Sequence, residues 1–308
     1  MYVLIVILSA GFTSGAFAFR KLYQSHAGGG MRSSLLFIAG YAATGAFLLC
    51  IGSDMQAGVS ETGAALAAGQ AFLIVCVQYL SVVGTAYGGI LVLTMFLTLG
   101  ATVIPFFGGI LFFQESVNGW RIAGIVCMLL SLLLPVLFTK KGANGRPKRY
   151  YAICAAAFIL NGLAPVCSKL KVLYAPGDAL MAYQCAIMAF VFLLSGAALL
   201  TGAVSRRMTK GIGWLSLQNG CLPLVRHDTG GVFLYLVAAM FALCACIGDY
   251  LSLFSLTGLD VSVQSPLNMG LLMVFTACIG KICFKEKISR VTSLSLAAAL
   301  TGVLFMAI

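Results

Sequence analysis

The chain has 308 residues, of which 61% are apolar and only 9% charged, and its mean hydropathy is +1.04. A soluble domain carries about a quarter of its residues charged, so the composition excludes a soluble protein and predicts one embedded in the lipid bilayer. The formal net charge of +11 is divided among short segments, which argues against a nucleic-acid partner and for a membrane-topology signal with some attraction to anionic lipid.

Apolar runs near 20 residues are long enough to span hydrocarbon as helices. In chain order they are predicted at about residues 2–19, 34–52, 64–83, 89–113, 119–139, 150–168, 178–202, 231–256, 259–284 and 289–307. The first run lacks a preceding basic segment; Arg20 and Lys21 follow it instead. It therefore reads as a retained helix and not as a signal peptide. The fold class expected is all-α, polytopic, with ten transmembrane helices.

Counting the loops from one to nine, 16 of the 19 basic residues fall in or beside the odd-numbered ones. They include Arg20, Lys21 and Arg32 in the first, Lys140 to Arg149 in the fifth, Arg206, Arg207, Lys210 and Arg226 in the seventh, and Lys281 to Arg290 around the ninth. Arg121, Lys169 and Lys171 lie on the other side, with Asp54, Glu61, Glu115, Asp178 and Asp260. Positive charge beside helix ends marks the cytoplasmic face, so the odd loops are expected inside and both termini outside.

The two halves repeat one another. Gln78-Tyr79-Leu80-Ser81 matches Asp249-Tyr250-Leu251-Ser252 at an offset of 171, which also takes Gly109 to Gly280, Phe113 to Phe284, Glu115 to Glu286 and Val117 to Ile288. Thr13 to Leu22 aligns with Asn161 to Leu170 at an offset of 148, and a longer seventh loop, residues 203–230 with Trp214, Gln218, Pro223 and Arg226, absorbs the difference of 23. Residues 1–139 form the first five-helix repeat, 140–149 a basic linker, and 150–308 the second repeat. An odd number of helices per repeat makes the second run opposite to the first, the inverted-repeat plan of secondary transporters.

These residues resemble a known family. Asn161-Gly162 followed by Lys169 is similar to the opening of an EamA-type unit, W-G-x-N-x-x-x-x-K. Pro105 through Glu115 to Arg121-Ile122-Ala123-Gly124 is similar to its second signature, repeated in Phe284-Lys285-Glu286-Lys287-Ile288. The chain resembles, over its whole length, the drug/metabolite transporter superfamily. The resemblance implies a central cavity lined by helices one, three, four, six, eight and nine, and export or exchange of small organic molecules. Thr13 and Asn161 stand where the family has Trp, and Ser14 stands where it has Gly. Many members keep both termini in the cytoplasm, opposite to the charge count here.

Asp249 is the most informative residue. An acid well inside an apolar helix is costly unless it faces a cavity or a partner, and the sequence offers no fixed cation beside it. Ala238, Ala242 and Ala245 share its face. It reads as a substrate or proton site, or as a protonated acid hydrogen-bonded to a neighbouring helix. Gln78 is its repeat counterpart, expected on a facing helix at similar depth. Gln264 and Asn268 flank Pro266 on one side of the ninth helix and read as cavity wall or as interhelical hydrogen bonds. Tyr79 and Tyr250 offer a ring and a hydroxyl to a flat substrate, or pack. Asn161 and Lys169 come from the family motif, and Lys169, like Lys21, also suits snorkelling to the interface. Glu115 and Glu286 read as helix caps and ion pairs.

No cofactor and no metal site is expected. The 11 cysteines are an odd number, lack C-x-x-C spacing and lie mostly in apolar runs, while His26 and His227 fall in loops. No motif of an enzyme centre or phosphate-binding loop is present. The expected function is a secondary transporter of a small organic metabolite or drug, by alternating access, with export as the direction and protons as the candidate coupling ion. A monomer or homodimer in the bacterial inner membrane is expected. The alternative is a membrane-embedded enzyme or non-transporting sensor acting on lipid-linked or membrane partners.

Overall fold

The computed structural model describes residues 1–27, 31–52, 58–87, 90–116, 118–138, 148–208, 231–284 and 290–307. Among these there are ten α-helices and no strand. They are α1 (Tyr2–Ala27), α2 (Met31–Gly52), α3 (Glu61–Tyr87), α4 (Ile90–Phe112), α5 (Gly119–Phe138), α6 (Lys148–Tyr174), α7 (Leu180–Met208), α8 (Gly231–Ser255), α9 (Val261–Phe284) and α10 (Arg290–Ala307). Each predicted run became a helix, but α1, α6 and α7 continue past the apolar run. A hydropathy reading stops at the first charge, whereas Arg and Lys are good helix formers and the backbone continues through them. Most of the basic linker, residues 139–147, and most of the long seventh loop, residues 209–230, lie outside the described residues, as do Lys285, Glu286 and Lys287.

Eight of the helices are long and apolar enough to cross a membrane. In α5 and α10 the described apolar stretches are shorter, Gly119–Leu134 and Val291–Met306. An α-helix satisfies its own backbone groups within lipid. The chain is a multi-pass integral membrane protein.

Packing joins the first five helices to the last five. Helix α1 lies against α8 and α9, and α6 lies against α3 and α4. The pairs α2 with α7, α4 with α9, and α5 with α10 complete the bundle. Contacts along α1 and α8 run in opposite order: Tyr2 meets Phe254, Ser9 meets Gly248 and His26 meets Phe233, so these helices are antiparallel. Helices α4 and α6 are parallel, since Leu97 meets Asn161 and Gly108 meets Val166.

Lipid tails are as apolar as leucine, so membrane helices associate through close packing and hydrogen bonds. Gly100 and Gly162 are the clearest case. A Cβ on Gly100 would collide with the Phe158 backbone, and one on Gly162 with the Gly100 carbonyl and Ile104. Glycine at both positions lets α4 and α6 touch backbone to backbone.

Acidic side chains fix the helix starts. Gln114 takes a left-handed backbone (φ 52°), a conformation uncommon outside glycine. It ends α4 and directs Glu115 at the start of α9. There the Glu115 carboxylate accepts the amides of Val261 and Ser262, both at 2.9 Å. Lys169 Nζ stands 3.5 Å from that carboxylate and donates to the Leu259 carbonyl at 3.2 Å. Glu115 is thus a cap and an ion-pair partner as the sequence predicts, but the helix it caps is α9. At the start of α3, the Asp178 carboxylate accepts the Ser60 amide at 3.1 Å and hydroxyl at 2.8 Å.

Candidate functional site

Asp249 occupies a position that packing alone does not explain. At about 100° per residue, Ala238, Ala242 and Ala245 share its side of α8, and all three are buried. Leu236, Met240 and Leu243 on the opposite side are exposed and form the outward apolar face. Asp249 is itself exposed, although it lies on the buried side and is surrounded by protein. Both observations hold if its carboxyl faces an internal space of the bundle. Its depth follows from the neighbouring contacts. Ser9 Oγ donates to the Gly248 carbonyl at 2.8 Å, and Gly15 lies beside Cys244. Asp249 is therefore level with the middle of the apolar span Tyr2–Tyr23 of α1.

A cation reaches the same interior. Arg20 is part of α1, not of a loop, and its Nη2 donates to Gln78 Oε1 on α3 at 2.7 Å. Tyr41 of α2 stands within electrostatic range of both Arg20 and Asp249. Its buried ring packs edge-on against Phe241 of α8, with ring centroids 5.0 Å apart. Cys246, one helical turn from Asp249, also lies within its electrostatic range. Tyr41 thus stands between the two charges, and Arg20 ties α1 to α3 through Gln78. Among the described residues no ion pair joins Arg20 to Asp249.

This corrects the expectation that Arg20 is a loop charge. An arginine just beyond an apolar run is normally read as snorkelling to the interface. The informative signal is the spacing: Ser9, Thr13, Ala16 and Arg20 are separated by four, three and four residues. That is one helical face, small and polar, ending in a charge. Ala238, Ala242, Ala245 and Asp249 have the same spacing.

Other residues marked by sequence fall in different places. Gln78, expected on a helix facing Asp249, instead accepts from Arg20, and α3 packs mainly on α6 and α7 and not on α8. Gln264 is 2% exposed and donates to the Ser252 hydroxyl at 2.9 Å and carbonyl at 3.3 Å, tying α9 to the end of α8. Asn268 is half-buried, and its Oδ1 is a buried acceptor without a protein donor. Asn161 Nδ2 donates to the Leu97 carbonyl at 2.8 Å, fastening α6 to α4. Lys169 is held by Glu115 and Leu259. Tyr79 shares the exposed side of α3 with Phe72, and Tyr250 stacks with Phe254.

Among the described residues, no group of His, Cys, Asp and Glu is arranged to hold a metal ion. No known protein-family profile matches the chain. No curated protein matches it either. One solved crystal structure, described only as that of a protein, is similar in fold: its TM-score is 0.69 at 14% identity, over 99% of this chain and 95% of the other. At that identity the likeness concerns the fold alone. The class reached is an integral membrane protein, with ten helices among the described residues, an acid within the apolar span of α8 and an arginine bonded to Gln78 between α1 and α3.

Proposed function

We propose that the protein is a secondary transporter that moves a small organic molecule across a bacterial inner membrane by alternating access, with the Asp249 site as its centre. The observation that carries this reading is an exposed mid-span acid on an otherwise buried helix face. Intramembrane acids are expensive and mark substrate or ion pathways.

The helix contacts support the inverted-repeat part of the reading. Adding five to the helix numbers of the first half, and subtracting five in the second, turns the α1–α8 contact into α6–α3 and the α1–α9 contact into α6–α4. The pairs α2–α7, α4–α9 and α5–α10 turn into themselves. At residue level, Ser14 Oγ donates to the Leu272 carbonyl at 3.4 Å, while its counterpart Gly162 lies against the Gly100 carbonyl. Helix α9 runs antiparallel to α4, and α4 parallel to α6. This symmetry of contacts supports halves of opposite sense, the plan that places a substrate site between repeats near mid-bilayer. The drug/metabolite transporter resemblance, export as the direction, and a proton carried on Asp249 are parts of the same proposal.

The test is flux. Proteoliposomes loaded with the small-molecule fraction of a cell extract should release a specific subset of compounds, read by mass spectrometry against protein-free vesicles. Asp249→Asn keeps size and hydrogen bonding but removes the charge, and should insert normally with at least a tenfold lower release. Identical release from protein-containing and protein-free vesicles would overturn the proposal.

A further inference from the structure

Two cysteines from different halves of the chain meet at one end of the bundle. Cys50 lies in the last turn of α2 and Cys185 in the second turn of α7. Their sulfurs are 3.4 Å apart, although 135 positions separate them in sequence. The contact belongs to a register. Helices α2 and α7 are antiparallel: Gly52 faces Met181, Cys50 faces Cys185, and Gly45 faces Met188. The Cys185 thiol also lies 3.6 Å from the Ala46 carbonyl, one turn before Cys50. Glycine or alanine at 45, 46 and 52 lets the two helices approach closely here. Asp178, just before α7, accepts from Ser60, just before α3, and fixes the same end of the bundle.

Both cysteines sit toward the ends of their apolar spans, Ser34–Gly52 and Leu180–Thr201. Cys50 is exposed and Cys185 half-buried. A cysteine buried within an apolar helix is a small packing residue and is chemically inert. An exposed thiol touching a second one where the span ends is open to oxidation. That end carries the even-numbered loops, which the charge count places outside the cytoplasm, where disulfides form and persist.

We propose that Cys50 and Cys185 are a redox-active pair that closes to a disulfide, stapling α2 to α7 and joining the two halves of the chain covalently. This holds whether or not the protein is a transporter. The oxidant is a disulfide, on a protein or a small molecule, acting from the even-loop face. The Cys50 thiolate attacks one sulfur of that disulfide, whose S–S bond breaks and releases a first thiol. The Cys185 thiolate then attacks Cys50 Sγ in the mixed disulfide and releases a second. Two electrons pass to the oxidant, and the protons of the two cysteine thiols end on the two released thiols. The cysteine sulfurs close from 3.4 Å to about 2.0 Å.

A protease site inserted in the linker at Gly145 turns this bond into a change of size, because Cys50 and Cys185 lie on different sides of the cut. Membranes containing the full chain are treated with dithiodipyridine, a small disulfide, then with excess maleimide to block remaining thiols, and cut. At least half of the protein should run at full size on a non-reducing gel, and a reductant should separate the halves. Cys50→Ser and Cys185→Ser should each give separated halves with or without reductant. Cys246 is also within electrostatic range of Cys185, but both lie in the second half, so a bond between them would leave the halves apart and count against the proposal. On uncut wild-type protein, where no substitution can disturb folding, mass spectrometry should find the Cys50 and Cys185 peptides joined, two hydrogens lighter than the free thiols. Separated halves after oxidation of the cysteine-intact chain, or a link that survives in either serine variant, would overturn the assignment.

Discussion

Glu115→Gln is the most decisive perturbation of the architecture, because its effect can be worked out without knowing the substrate. Glu115 and Lys169 retain only 5% and 12% side-chain accessibility, and the carboxylate takes the first two amides of α9 while facing the ammonium group. Glutamine keeps one acceptor, so loss of half the cap costs about 1 kcal/mol. Removing one partner of a buried ion pair costs about 3–5 kcal/mol, since the remaining charge is left uncompensated. Lys169 keeps its bond to the Leu259 carbonyl, which places the total near the lower figure, about 3 kcal/mol. Thermal unfolding of purified protein in detergent would read this, alongside Lys169→Met and the double variant. Lys169→Met should cost less than Glu115→Gln, because the carboxylate keeps both amides. The double variant should be more stable than Glu115→Gln alone, the coupling expected of groups in contact. Wild-type stability of Glu115→Gln, or strict additivity in the double variant, would refute the tie between α6 and α9.

In a cysteine-depleted background, Gly58→Cys should react with an impermeant thiol reagent added to intact cells, and Gly145→Cys, in the segment outside the described residues, should react only after permeabilisation. The reverse pattern would invert the predicted orientation. Gly100→Ala should cost roughly 1–3 kcal/mol, toward the upper end because the obstacle is backbone and not a movable side chain. A wild-type unfolding temperature for that variant would show that α4 and α6 lie farther apart than described.

Helices were legible in the sequence because apolar runs near 20 residues have few other uses. Their ends were less so: hydropathy registers charge, and helices α1 and α6 carry Arg20, Lys169 and Lys171 inside them. Asp249 stood out because an acid is rare in such a setting. Gln264 and Asn161 were visible as polar residues, but their partners were not. Ser252 and the Leu97 carbonyl become neighbours only when helices distant in sequence pack together. Arg20 was hidden by its place at the end of an apolar run, where lipid-facing and inward-facing arginines look alike in a charge count.

Correcting Arg20 also clarifies that count. Removing it from the 16 basic residues of the odd-numbered side leaves 15 against three. Each of the three exceptions has a structural partner: Arg121 donates to Asp260 at 3.0 Å, Lys169 pairs with Glu115 at 3.5 Å, and Lys171 donates to the Asp178 carbonyl at 2.8 Å. Their acidic neighbours have a cause of their own. Glu115 and Asp178 sit where α9 and α3 begin, and helix starts favour negative charge. The acids therefore report helix direction, and the three bases answer the acids. Once those local pairs are set aside, the remaining basic residues all lie on one side of the chain's predicted path through the membrane. Orientation then rests on those remaining charges beside helix ends, to which the positive-inside rule applies.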